Sequence, residues 1–390
     1  MTSLTIAGGQ VLAADGWQDG PVRIEDGRIA AIGGAATDGA ATGRVLDARG
    51  LMVLPGLIDL HGDAFERQLQ PRPGVGFPTG LALMDTEAQL LANGITTAFH
   101  GVTLSWEPGL RSLGAWRALL EALAEGPPGG GGWTCDMRVH LRWEAFNLPA
   151  LDQALADIAA GRVHLLAFND HTPSIMRRID DAQAAAKYSD RAGMKLDEFR
   201  AVATAIWVRA DDVPAARDRI AAAARTARLP MASHDDDSLA VRGLFRDLGA
   251  RISEFPMAED VAKAAADAGD WVVMGSPNVV RGGSHLGWAS AAQMAEGGVC
   301  RVLTSDYFYP AMLRAAFVLA ARGVLDLPAA WALVSANPAR AAGLADRGAI
   351  APGLRGDVLL VDPAGPRVLA TIVGGAIAHA TAEGYGRLGG

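Results

Sequence analysis

Cysteine is nearly missing from this chain: there are two in 390 residues, Cys135 and Cys300. A pair so far apart suggests neither a disulfide framework nor a Cys-rich zinc knuckle. Long apolar runs are missing too. No uninterrupted stretch approaches the ~20 residues that a membrane helix needs. The start, MTSLTIAGGQVLAADG, has no basic segment leading into a long apolar core, so it makes a poor signal peptide. A cytoplasmic location is the expectation. A surplus of positive charge is the third absence. Lys and Arg number 35 against 43 Asp and Glu, a net charge of −8. That argues against nucleic acid or a membrane as partner and leaves room for a local basic pocket. Finally, neither GxGxxG nor GxxxxGK[ST] follows any strand-like run, which weakens an open, doubly wound sheet.

What is present suits a globular enzyme: half the residues are apolar and about a fifth are charged. The length allows one large α/β domain with an accessory domain. The first ~50 residues read as short strands between Gly/Asp turns, and the last ~40 read the same way. Neither end has enough strands for an independent sheet. Together they predict one small β-sandwich, residues 1–55 with 347–390, which the chain leaves and re-enters.

Between these ends, residues 56–346, short apolar strands alternate with Ala/Leu-rich helical stretches. Eight strand candidates stand out: 57–63, 95–101, 136–144, 164–170, 230–235, 251–256, 271–277 and 301–307. Eight β-then-α units predict an α/β fold, a (β/α)8 TIM-like barrel. The stretch 171–229 is too long for one such unit and reads as a helical insertion over the active face.

In a barrel of this kind the carboxyl ends of the strands form the active face. Those ends are unusually polar here. LPGLIDLHGD ends in His61 and Asp63, whose i, i+2 spacing puts both on one side of a strand. His100, Glu144, Asp170-His171, His234-Asp235, Glu254 and Asp306 stand at other strand ends. Imidazole and carboxylate without thiolate suit one or two divalent ions such as Zn, Mn, Fe or Ni. The candidate ligands are His61, Asp63, Glu144, His171, His234 and Asp306, and Asp306 is also the candidate catalytic proton acceptor. Each has a plainer alternative. Glu144 could pair with Arg142, His171 could cap the next segment, and His234 and Asp306 could belong to helix N-caps. His100, His140 and His164 read as structural, and His379 lies in the terminal sandwich.

The run GSPNVVRGGSHLGWAS, 275–290, predicts a loop after the seventh strand. Its glycines let backbone N–H groups approach an anion, and Arg281, Ser284 and His285 add donors. Lys187, with Arg177 and Arg178 in the insertion, is a further candidate for substrate phosphate.

These segments together resemble the amidohydrolase superfamily of metal-dependent hydrolases. Within it, GLIDLHGDAFER, HLRWE, DHTP, KYSDRAGM, ASHDDD, EFP, GSPNVVRGGSH and SDYFYPAML resemble the diphosphatases of bacterial phosphonate breakdown by the carbon–phosphorus lyase route. The resemblance implies pyrophosphate release from α-D-ribose 1-methylphosphonate 5-triphosphate. It also implies that the superfamily's His-x-His is His61-x-Asp63 here, and that Glu144 takes the place of the bridging carbamylated lysine. The superfamily usually carries histidine ligands on strands five and six, which makes Glu254 or His285 an alternative to one of the histidines. Two stretches depart from the family: Leu286 and Trp288 in the loop, and Ser174–Arg178 after DHTP. The alternative function is a C–N hydrolase, an amidase or deaminase, on the same metals. The expected partner is a small phosphorylated molecule; the sequence leaves a homo-oligomer open.

Overall fold

The computed structural model describes residues 3–34, 43–72, 74–283 and 289–389. Eight parallel strands run in chain order around a barrel: Leu57–Gly62, Ile95–Leu104, Asp136–Glu144, Leu165–Asn169, Met231–His234, Ile252–Glu254, Trp271–Gly275 and Cys300–Thr304. Each pairs with the next in parallel. The eighth closes on the first through an isolated parallel bridge between Gly62 and Asp306. The strands read as apolar runs because both of their faces are covered, and every residue of the second strand is buried.

The barrel interior is layered. Its amino-terminal half is a dry floor of Ile58, Leu60, Phe99, Leu165, Ala167, Ala232, Ile252, Val273 and Val302, with Ala339 and Ala341 against it. The polar side chains sit above that floor, at the carboxyl ends. Outer helices cover the strands, and their limits follow local chemistry. The helix Leu113–Glu125 begins where Ser112 accepts a bond from the Ala115 amide, and Leu239–Leu248 begins where Ser238 accepts from Val241. Leu239–Leu248 stops at Gly249, whose φ of 109° a side chain would resist.

After the fourth strand come Thr172–Arg177, Ala182–Ala192 and Leu196–Trp207, before the helix Val213–Thr226 leads to the fifth. The first three share a small core of Ile175, Ile179, Ala192, Phe199 and Ala203. Trp106, from the loop after the second strand, packs on that core and donates through Nε1 to Thr172 Oγ1 at 2.9 Å.

Two antiparallel-rich sheets are built from both ends of the chain. One joins Ser3–Ala7, Val22–Glu25, Arg28–Ile32, Arg44–Asp47 and Leu388–Gly389. The other joins Gln10–Ala13, Gly16–Asp19 and Met52–Pro55 to Val358–Asp362, Arg367–Val373 and Ala376–Ala380. Ile6, Ile24 and Leu46 of the first meet Val53, Leu360 and Ile372 of the second in one buried cluster. The strand Met52–Pro55 pairs with Val358–Asp362 and runs straight into the first barrel strand. Among the described residues no helix is long and apolar enough to cross a membrane.

Candidate active site

A pocket of about 190 Å³ lies at the carboxyl end of the barrel. His61, Asp63, Arg142, His234, Asp235 and Asp306 line it at the strand ends, with Tyr307 after the eighth strand and Arg281 from the helix Ser276–Arg281. That helix stands where the sequence predicted the start of a loop, because Pro277 sits in its first turn and no glycine interrupts it before Gly282.

Three strand ends aim their residues with the same backbone device. Asp235, Phe255 and Asp306 have φ of 57°, 52° and 55°. Each amide still donates across to the neighbouring strand at 2.9 Å: Asp235 to Glu254, Phe255 to Val273, and Asp306 to His61. Left-handed backbone at a non-glycine residue is uncommon, and most of all at a bulky one such as Phe255. The turn ends each strand abruptly while its ladder stays paired.

On the first strand, two residues before His61, Asp59 is fully buried. Its carboxylate accepts from Ser305 Oγ at 2.5 Å, from the Ser305 amide at 3.0 Å and from the His61 amide at 3.3 Å. Burial pushes its pKa up to about 6. One carboxylate thus ties the segment carrying His61 to the segment carrying Asp306.

A deep donor group consists of His61, His140 and Glu254, all buried. His61 Nδ1 lies 3.2 Å from Glu254 Oε2. His140 Nδ1 lies 2.9 Å from the Leu60 carbonyl, which can only accept, so that nitrogen carries the proton. Its Nε2 therefore presents a lone pair 3.6 Å from Glu254 Oε2, with no hydrogen-bond partner of its own. Two electron-rich atoms facing each other in a buried place call for a cation between them. Burial keeps both imidazoles neutral, His140 down at about 3 and His61 well below the usual histidine range, with Arg142 adding to the effect on His61. Neutral imidazole is the form that ligates a metal. The donor set fits a divalent ion.

A second group, His171, His234 and Asp235, lies nearer the rim. His171 Nε2 is 3.6 Å from Asp235 Oδ2, and its Nδ1 is 3.4 Å from Glu144 Oε2. Burial opposes charge on His171, but these two carboxylates override it and raise its pKa to about 9. His234 Nδ1 is 3.2 Å from Asp235 Oδ2, while its Nε2 accepts from Arg142 Nη2 at 3.0 Å. Burial brings His234 down to about 4. Asp306 behaves oppositely: burial, then the nearby Asp63 carboxylate, push it up to about 7.

His61, Asp63, His234 and Asp306 thus meet in one pocket. Glu144 does not line it. Its carboxylate accepts from the Thr172 amide at 3.1 Å, Thr172 Oγ1 at 2.7 Å and the His171 amide at 3.2 Å, so it fixes the start of the helix that presents His171. Arg281 lines the pocket with Nη1 3.3 Å from Tyr307 Oη. Lys187 is exposed on the helix Ala182–Ala192. Ser284, His285, Leu286 and Trp288 lie outside the described residues.

Sequence reasoning set His140 aside, gave Arg142 only as a partner for Glu144, passed over Asp235 as a ligand and kept Glu254 as an alternative. The signal for the first two was in HLRWE: His140, Arg142 and Glu144 alternate along one strand and share a face.

No protein-family model matches the chain. It is 32% identical over 351 residues to the alpha-D-ribose 1-methylphosphonate 5-triphosphate diphosphatase of Escherichia coli strain K12, covering 87% of this chain and 90% of that protein. Among solved structures, a beta-aspartyl dipeptidase from Fervidobacterium islandicum AW-1 superposes with a TM-score of 0.64 at 14% identity, covering 97% of each chain. The N-acetylglucosamine-6-phosphate deacetylase of Pasteurella multocida gives 0.63 at 11% identity, covering 97% of this chain and all of that one. At such identities these two likenesses describe the fold.

Proposed function

Because the chain belongs to the amidohydrolase superfamily, in the family of the E. coli diphosphatase, we propose that this hydrolase releases pyrophosphate from α-D-ribose 1-methylphosphonate 5-triphosphate with the help of divalent metal. The reading is carried by one coincidence. A carboxylate at the end of the last strand, Asp306, shares a pocket with imidazoles and with Arg281, in a chain related over nearly its whole length to a diphosphatase.

The deep group of His61, His140 and Glu254 and the rim group of His171, His234 and Asp235 would hold the metal. A divalent ion there supplies Lewis acidity, polarising a phosphoryl oxygen and acidifying water. The chain's own residues do the rest. Asp306 accepts the proton of the attacking water at its carboxylate and returns it to the leaving pyrophosphate. The Asp306 amide bond to His61 and the Asp59 clamp below hold that carboxylate in register with the first strand. Arg281 meets the outer phosphates as a charged donor.

The test is direct. The protein is stripped with a chelator, Mn or Zn is returned, and pyrophosphate release from the ribose triphosphate is followed. Metal-dependent release at ordinary enzymatic rates supports the reading. A protein that binds metal yet releases none, and instead frees ammonia or a carboxylate from an amide, is a C–N hydrolase on the same site.

A further inference from the structure

Arg142 is a buried charge that the fold leaves underused. It stands on the third barrel strand between His140 and Glu144, and is 6% exposed. A guanidinium brings five N–H donors, and burying it without acceptors is costly. Its terminal Nη2 donates to a neutral imidazole, His234 Nε2, at 3.0 Å. Its nearest carboxylate is Asp63, at 3.8 Å from Nη1, beyond hydrogen-bond range. Its Nε has no partner.

A second buried arginine in the same barrel supplies the comparison. Arg242, 3% exposed, donates to Ser233 Oγ at 2.5 Å, to the Ala250 carbonyl at 2.6 Å and to Asp270 at 3.0 Å, with Asp236 at 3.4 Å. Both residues leave Nε unpartnered, so the difference lies at the terminal nitrogens. Arg242 spends its charge on carboxylates and carbonyls and does not line the pocket; Arg142 does line it. The same pocket carries the carboxylates of Asp63, Asp235 and Asp306, which repel an anion unless a fixed positive charge stands among them.

We propose that Arg142 is the oxyanion receptor of this pocket. It takes two oxygens of a tetrahedral phosphoryl or phosphonyl group in a two-point contact that replaces its bond to His234. Planar, forked recognition of this kind is what arginine offers and lysine does not. The proposal rests on the phosphoryl-transfer reading above for the class of anion. The receptor itself rests on the guanidinium.

The probes are methylphosphonate and inorganic phosphate, titrated calorimetrically into the protein as purified, with its metal content measured. The variants are Arg142→Met and Arg142→Lys, with His379→Ala as a control in the terminal sandwich. The expected result is a 10- to 100-fold loss of affinity in Arg142→Met at equal metal content, an intermediate loss in Arg142→Lys, and none in His379→Ala. Equal affinity in Arg142→Met with a native melting curve would overturn the proposal and leave Arg142 as a counter-charge for the carboxylates. If Arg142→Met does not fold, Arg142→Lys decides, and affinity equal to the parent rejects two-point recognition. The two readings separate cleanly. Arg142-dependent anion binding without pyrophosphate release overturns the function and keeps the receptor. Full kcat/KM for pyrophosphate release in Arg142→Met does the reverse.

Discussion

The Asp306 amide donates to the His61 carbonyl at 2.9 Å, and the Asp306 carbonyl in turn accepts from the Asp63 amide at 2.9 Å. The last strand of the barrel is thereby stitched to the first at the very residues whose side chains face the pocket. Backbone bonds of this kind survive a change of side chain. Asp306→Asn should therefore keep the fold and its melting temperature while lowering kcat at least ~100-fold, the range for loss of a general base. His379→Ala should leave kcat unchanged. Steady-state pyrophosphate release together with thermal melts reads both; a near-parental kcat in Asp306→Asn would remove Asp306 from the proton path.

His171 sits between Glu144 and Asp235 with its pKa raised to about 9. At neutral pH it is protonated, and a metal ion must displace that proton. Metal affinity at the rim should therefore rise with pH up to about 9, by at most about tenfold per unit for one proton. In the metal-free protein the sign for stability is opposite. The ion pairs contribute fully below the ordinary histidine pKa and are lost as pH rises through about 9. His171→Gln should flatten both dependences. Competitive chelator titrations between pH 6.5 and 9 give the first, and urea denaturation over the same range gives the second.

Arg281 ends the helix Ser276–Arg281 and lines the pocket, with Nη1 3.3 Å from Tyr307 Oη. Arg281→Ala should raise KM for a phosphorylated substrate by a uniform-binding loss of roughly 1.5–3 kcal/mol, with kcat little changed. An unaltered KM would put the outer anion contact elsewhere.

Ser305→Ala removes the shortest hydrogen bond of the buried Asp59 carboxylate. The expected cost is ~1–3 kcal/mol in urea denaturation at pH 7. In the fold burial raises Asp59's pKa from the ordinary carboxylate value to about 6. The folded chain holds that proton more tightly than the unfolded one, so this group's contribution falls as pH rises from about 4 to about 6. Ser305→Ala should push the folded pKa higher and carry the loss further towards neutrality.

Strand order and the polar rim were legible in the sequence because both are local signals. Buried strands between helical periods give the barrel, and His61, His234 and Asp306 stand at the points where those runs stop. The deep group was less legible. His140 and Glu254 matter through a lone pair facing a carboxylate across the barrel, and which strands lie across from each other at that depth is set by the closing of all eight. Arg142 was hidden for another reason. Two residues from Glu144 in sequence, it invites a local ion pair, whereas Glu144 is taken up by the Thr172 amide and hydroxyl at the strand's end and Arg142 reaches His234. The rim group was legible in part: His171 and His234 were read, whereas Asp235 was seen at a strand end but not as a ligand, and its φ of 57° is not written in the local pattern.

The sandwich shared by the two ends of the chain sets an order of assembly. Met52–Pro55 enters the first barrel strand, and its antiparallel partner, Val358–Asp362, comes almost at the far end of the chain. During synthesis the segment that positions His61 must wait for nearly every other element to emerge, and pairings of such long separation form slowly. The pairing that anchors the His61 strand to the sandwich therefore closes only after all eight barrel strands have been made.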